Sequence, residues 1–233
     1  RPLFLKLNSM VDSMTAKIKC VIFDCDGVLV DSVSSWRTLH THFGTENHDL
    51  LEKFIAGEIT DQEFMKLDIQ MWKKVQPKIH QDDLFRAYSG IKLIPGTREV
   101  VSELIAKGVY VAIVSAGVDI FVSTIAGTLK VDDWIANGFN FDEEGYLLDD
   151  GIVRVSGQGK GIIVNKLIEM KKFQPEEVLC IGDSDIDLSM NVEGTNFIGF
   201  NPSRENSRES FKNAGVTIIE EKDLRKILPY VFN

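Results

Sequence analysis

Short apolar runs recur along the chain and are separated by stretches with helical periodicity. Ile18 to Phe23, Val109 to Val114, Val178 to Ile181, Asn196 to Phe200 and Val216 to Ile219 are strand-length and apolar on both faces, which is how buried parallel strands read. Between them, Val100, Leu104 and Ile105 share a helix face, with Thr97 placed to cap that helix and Gly108 to close it. Phe121, Ile125 and Leu129 recur at helical spacing, and Ile163, Leu167 and Met170 mark a further helix. Strand–helix alternation of this kind predicts an α/β fold built on a doubly wound parallel sheet. Ligands of such sheets bind beyond the C-terminal ends of the strands.

Two segments interrupt the alternation. Residues 32–93 read as helical through Phe54-Ile55, Glu58-Ile59, Phe64-Met65-Leu67 and Met71-Trp72, with Pro77 and the Ile94-Pro95-Gly96 turn punctuating their end. This predicts a small helical cap inserted after the first strand, with a core formed by residues 16–31 and 94–233. Trp36 and Trp72 are assigned to the interior of the insert. His40, His42, His48 and His80 also fall there, and the pattern reads them as surface residues. The second segment, Ile135 to Val155, reads as a hairpin turning at Asp142-Glu143-Glu144-Gly145.

Composition narrows the class. With 44% apolar and 26% charged residues the chain is globular in type. Its 26 Lys+Arg against 35 Asp+Glu give a net charge of −9, the wrong sign for gripping a nucleic-acid backbone. A protein of this charge that handles anionic molecules must create positive charge locally, with a metal, a lysine or helix N-termini. The longest apolar run, Val109 to Val114, is too short to span a membrane. The apolar N-terminal patch is broken by Lys6 and Asn8 and does not read as a secretion signal. Cys20, Cys25 and Cys180 are an odd set without a C-x-x-C pair, which reads as reduced thiols in a cytoplasmic protein.

Candidate chemistry gathers at the strand ends. In extended backbone, residues i and i+2 share a face, so Asp24 and Asp26 project together while Cys25 points away. Ser115-Ala116-Gly117 ends the second strand run, Lys160 follows the hairpin, and Gly182-Asp183-Ser184-Asp185-Ile186-Asp187 follows Val178 to Ile181. A calcium loop is a poor fit: counted from Asp183, the sixth position is Leu188 rather than Gly, and the twelfth is Gly194 rather than Glu. Carboxylates, a hydroxyl and an ammonium on one rim suit phosphoryl transfer through an aspartyl-phosphate. Mg²⁺ takes about one or two carboxylates plus water and substrate phosphate, and Asp24 and Asp183 offer them. Ser115, Lys160 and backbone N–H groups near Ala116-Gly117 are placed to hold phosphate oxygens.

These motifs, in this order and at these strand ends, resemble the haloacid dehalogenase superfamily of phosphohydrolases. The resemblance covers residues 18–200. It implies a Rossmann-like core, a Mg²⁺ cofactor, Asp24 as nucleophile and Asp26 as general acid and then base. It further implies that Ser115, Ala116, Gly117 and Lys160 bind phosphate, and that Asp24, Asp26 (through its main-chain carbonyl), Asp183 and Asp187 position the metal. Within the superfamily the chain looks most like the phosphoserine phosphatase branch, archaeal type, through the helical insert, Ser115-Ala116-Gly117 before Asp119-Ile120-Phe121, and the hairpin before Lys160. It departs from that branch at Gly27-Val28, where Ser-Thr is usual, at Val33, where a glutamate meets the substrate's amino group, and at Ile186, where asparagine is expected. An arginine of the insert facing the site, Arg37 or Arg86, is a candidate for a substrate carboxylate, but arginines on helices are usually solvated and neither is assigned to the site. The implied partner is a small phosphomonoester, with phosphoglycolate, glycerol phosphate and sugar phosphates beside phosphoserine. Transfer to a second substrate by a phosphomutase or phosphotransferase is an alternative on the same core, and a non-catalytic binding protein a remote one.

Overall fold

The computed structural model describes residues 18–232. The apolar patch around Lys6 and Asn8 and the first two residues of the expected core lie outside them. A seven-stranded sheet runs in the order β4-β3-β2-β1-β5-β6-β7. Its strands are β1 (Cys20–Phe23), β2 (Tyr110–Val118), β3 (Asp133–Phe141), β4 (Leu147–Ile152), β5 (Val178–Gly182), β6 (Asn196–Phe200) and β7 (Thr217–Ile219). All pairings are parallel except β3 with β4. The expected α/β class is therefore the one observed. The hairpin is present, and it is more than an excursion, because β3 also pairs with β2 and extends the main sheet.

Alternation along the strands explains the two-sided core. Val21 and Phe23 of β1 pack on one face with α5 (Thr97–Ala106) and α6 (Asp119–Leu129), contributing Val100, Leu104 and Phe121. Cys20 and Ile22 pack on the other face with α7 (Lys160–Lys171) and α8 (Glu205–Asn213), contributing Val164, Leu167 and Phe211. A last short helix, α9 (Leu228–Phe232), follows the final strand.

Two helix details differ from the sequence reading. Thr97 is not the cap of α5: Gly96, at φ +84°, holds that position, and the buried Thr97 hydroxyl donates to the Leu29 carbonyl at 3.1 Å. In α7 the inward stripe is Lys160, Val164 and Leu167, which leaves Met170 76% exposed. Those buried positions stand four and three residues apart, one helical face, and that face carries Lys160 to Asp24, just past the end of β1.

Four helices lie between β1 and β2: α1 (Ser35–Phe43), α2 (His48–Ile55), α3 (Asp61–Val75) and α4 (Gln81–Ala87). The longest, α3, starts with a reciprocal capping box between Thr60 and Glu63. It lies against β4, where Gln62 Nε2 donates to the Gly151 carbonyl at 2.8 Å and Lys73 meets Asp149 at 2.6 Å. Trp72 of α3 is fully buried against Trp36, Phe43 and Phe139. The surface reading of the histidines fails at His40, which is 3% exposed beneath Trp72 and beside Asp68. Helical periodicity alone had placed no partner opposite it.

Candidate active site

β1 is the central strand, with β2 on one side and β5 on the other, so the chain reverses its winding there. The crevice at such a switch point lies beyond the strands' C-terminal ends. Asp24 leaves β1 with its N–H still bonded to the Ile181 carbonyl of β5 at 2.9 Å. Its Oδ1 stands 2.8 Å from Lys160 Nζ, whose other partner is Asp187 Oδ1 at 2.5 Å. Lys160 is 2% exposed and Asp187 1%. Asp187 spends its remaining oxygen on three donors, the N–H groups of Asp183 and Ser184 and the Ser184 hydroxyl. It thus locks the loop after β5 and aims Lys160.

Asp24, Asp183 and Asp187 each offer a carboxylate oxygen, and these oxygens lie within 4.8 Å of one another. Among the described residues the Asp183 side chain accepts no hydrogen bond. Its approach depends on Gly27, at φ +78°, because a Cβ there would run into the Asp183 carboxylate. The loop Asp24-Cys25-Asp26-Gly27 therefore needs glycine twice over, for its backbone and for its neighbour.

Asp26 stands across the crevice. Its Oδ2 accepts from the Ser35 N–H at 2.9 Å and the Ser35 hydroxyl at 2.8 Å, while Oδ1 is buried with no partner. Ser35 Oγ accepts in turn from the Val118 N–H at 3.0 Å. Gly117 passes so close that a Cβ would lie 2.9 Å from Asp26 Oδ2. Ser115 is buried and its Oγ accepts from the Gly117 N–H at 3.0 Å, which leaves its own proton to donate. Asn137 of β3 ties the rim together, donating to the Ala116 and Val155 carbonyls and accepting from the N–H groups of Arg154 and Val155.

Burial sets the electrostatics of this group. It pushes the Asp24 carboxyl up to about 7 despite the opposing pull of Lys160. Burial, then the charges of Asp187 and Asp24, hold Asp183 well above the ordinary range. Asp26 is raised by burial against the two Ser35 hydrogen bonds. Burial also works against the Lys160 charge, but Asp187 and Asp24 outweigh it and raise the ammonium above its usual value. Carboxylates that are costly to ionise together, one of them unpartnered, make a site that a divalent cation fits. The Cys25 thiol is wholly buried and pushed far up by that burial, so it is not a reactive neighbour.

The rim opens into a cavity of about 940 Å³ roofed by α1 to α3. Arg37 lines its exposed mouth, whereas Arg86 lies elsewhere and pairs with Asp83. The structure thus brings together Asp24, Asp26, Ser115, Lys160, Asp183 and Asp187. Ser35, Asn137 and the His40–Asp68 pair are the residues that motif reasoning passed over. No helix among the described residues is long and apolar enough to cross a membrane.

Comparison with known proteins finds relatives over most of the chain. The haloacid dehalogenase-like hydrolase family matches residues 18–193. A phosphoserine phosphatase of Methanocaldococcus jannaschii is 26% identical over 221 residues, 94% of this chain and 100% of that protein. The human phosphoserine phosphatase is 31% identical over 130 residues, 54% of this chain and 57% of its own length. A solved substrate-bound phosphoserine phosphatase complex superposes with a TM-score of 0.74 at 25% identity, covering 92% of this chain and 99% of that one. The chain belongs to the haloacid dehalogenase-like hydrolase family, and its phosphoserine phosphatase-like character extends over nearly its whole length.

Proposed function

We propose that the protein is a Mg²⁺-dependent phosphomonoester hydrolase, working on a small phosphorylated metabolite through a phosphorylated Asp24. The observation that carries this reading is the pairing of Asp24 with Lys160 at 2.8 Å while Asp26, lining the same cavity, keeps its Oδ1 buried and unpartnered. Asp24 Oδ attacks phosphorus, and the bond from phosphorus to the leaving oxygen breaks. That oxygen takes the proton of Asp26, whose carboxyl is raised by burial. Asp26, now a carboxylate, removes a proton from water. The water oxygen attacks the same phosphorus, the Asp24–phosphorus bond breaks, and orthophosphate leaves with Asp24 and Asp26 restored.

Lys160, the Ser115 hydroxyl and the Ala116-Gly117 turn hold the phosphoryl oxygens. Asp24, Asp183 and the Asp26 main-chain carbonyl would hold a magnesium ion, which supplies positive charge against the transferred group. Asp187 supports the ion by fixing Asp183 and Lys160. In this reading residues 32–93 act as a cap on a core of 16–31 and 94–233, excluding bulk water and choosing the leaving group. Free, buried cysteines suit a cytoplasmic enzyme.

The test is orthophosphate release from a panel of small phosphomonoesters, with Mg²⁺ and with EDTA. Release that needs Mg²⁺ and drops at least about a thousandfold in a folded Asp24→Asn variant is the expected result. Release unchanged by that substitution would remove Asp24 from the chemistry. Release only on adding an acceptor would replace hydrolysis with phosphotransfer.

A further inference from the structure

Asp68 sits on α3, 1% exposed, in the wall of the cavity that Asp24 opens into. Its Oδ1 accepts from Asn47 Nδ2 at 2.9 Å and lies 3.1 Å from His40 Nε2. His40 Nδ1 receives the Trp72 indole N–H at 3.2 Å and meets the Thr45 hydroxyl at 2.7 Å. An indole nitrogen only donates, so Nδ1 is the acceptor and the ring hydrogen sits on Nε2, facing Asp68. His40 Nε2 is buried without a hydrogen-bond partner, so the neutral Asn47 amide is the one donor to Asp68 among the described residues. Among the described residues no lysine or arginine pairs with it, and its Oδ2 accepts no hydrogen bond.

A buried carboxylate without a countercharge is costly. If this residue only fastened α1, α2 and α3, a neutral asparagine would do so without that cost. Buried positive charge is scarce: Lys160 is the only buried lysine or arginine among the described residues, and Asp24 and Asp187 already share it, while the cavity's arginines, Arg37 and Arg204, are exposed. The deep wall thus asks for a cation and offers no buried partner for an anion.

We propose that Asp68 is a specificity-determining residue that receives an ammonium group on the leaving alcohol, so that the preferred substrate is an amino-alcohol phosphate lacking a carboxylate. This rests on the phosphatase reading above. The phosphoryl end lies at Asp24 and Lys160, and the amine reaches Asp68 Oδ2, with Asn47 holding Oδ1 and His40 packed beside it. Trp36, Phe64 and Met65 supply apolar lining to the same cavity for the carbon chain.

The experiment compares kcat/KM for 2-aminoethyl phosphate, propyl phosphate and phosphoserine in wild type and Asp68→Asn. Wild type is expected to prefer 2-aminoethyl phosphate to propyl phosphate, its near-isostere, by at least about tenfold, and to prefer it to phosphoserine. In Asp68→Asn the rate on the amine should fall about tenfold, while that on propyl phosphate changes less than about twofold. Equal losses on both esters would make Asp68 merely structural and overturn the proposal, as would a wild-type preference for phosphoserine. The wild-type comparison decides the matter even where the variant fails to fold. Turnover of propyl phosphate with no preference for the amine sinks this inference alone; no turnover of any ester sinks the phosphatase reading and this inference together.

Discussion

Asp26 owes its orientation to a single neighbour. Ser35 fixes Oδ2 with two donors and passes the constraint on to Val118, so Oδ1 is the oxygen left unpartnered. Ser35→Ala keeps the backbone bond but removes the hydroxyl, leaving the Val118 N–H without its acceptor. We expect a stability loss of about 1–3 kcal/mol by urea titration, because a buried donor is orphaned. We also expect kcat to fall about tenfold with KM little changed, because the proton donor loses its aim rather than the phosphate its binding. A KM effect without a kcat effect would place Ser35 in substrate binding instead. The contrast between Ser35 and the motif aspartates shows what one sequence makes legible. Asp24 and Asp26 announce themselves because their shared direction is a local property of extended backbone. Ser35 meets Val118 across a separation of 83 residues, and Asp68 meets Asn47 across 21. Such partners are chosen by packing, which also explains why His40 read as a surface residue and is buried.

At the scale of elements, the strands were the readable part, since parallel burial leaves an apolar run that a single window captures. The joint between the helices 35–87 and the sheet was not readable, because it is made by rings from distant segments. Trp72 of α3 stacks on Trp36 of α1 at 6.2 Å and meets Phe139 of β3 edge-on at 5.8 Å. The polar links between α3 and β4 are the Gln62 hydrogen bond to the Gly151 carbonyl, worth about 1 kcal/mol, and the ion pairs Lys73–Asp149 and Lys66–Asp150, each worth at most about 1 kcal/mol and weakened by salt. The aromatic joint must therefore carry the attachment. Trp72→Ala should cost about 3–5 kcal/mol in denaturant titration, whereas Lys73→Ala should cost under about 1 kcal/mol. Comparable losses from the two would mean that the ion pairs, not the rings, hold α3 to the hairpin.

Across the whole molecule, the site is a concentration of like charge that folding must tolerate. Asp24, Asp26 and Asp183 all have carboxyls raised by burial, Asp24 from 3.8 to about 7. A group whose folded pKa is raised contributes stability that is fully present below its unfolded value and is lost as pH rises through the folded one. For Asp24 that loss runs from about pH 4 to about pH 7. Surface carboxylates such as Glu177, Glu220 and Asp223 shift the other way, held low first by hydrogen bonds from Lys19, Arg208 and Arg225. They are ionised in both states above about pH 5 and stay out of this window. The metal-free protein should therefore melt at a higher temperature at pH 5 than at pH 8. Mg²⁺ binds the ionised carboxylates and competes with protons for them, so it should raise the melting temperature strongly at pH 8 and little at pH 5. The net charge of −9 adds a general repulsion of the same sign. Asp183→Asn separates the two, since it changes the net charge by only one unit but removes a cluster carboxylate that accepts no hydrogen bond. That variant should show a flatter pH dependence in EDTA and a much smaller response to Mg²⁺. A slope and a Mg²⁺ response both unchanged in Asp183→Asn would locate the pH sensitivity, and the cation, away from this site.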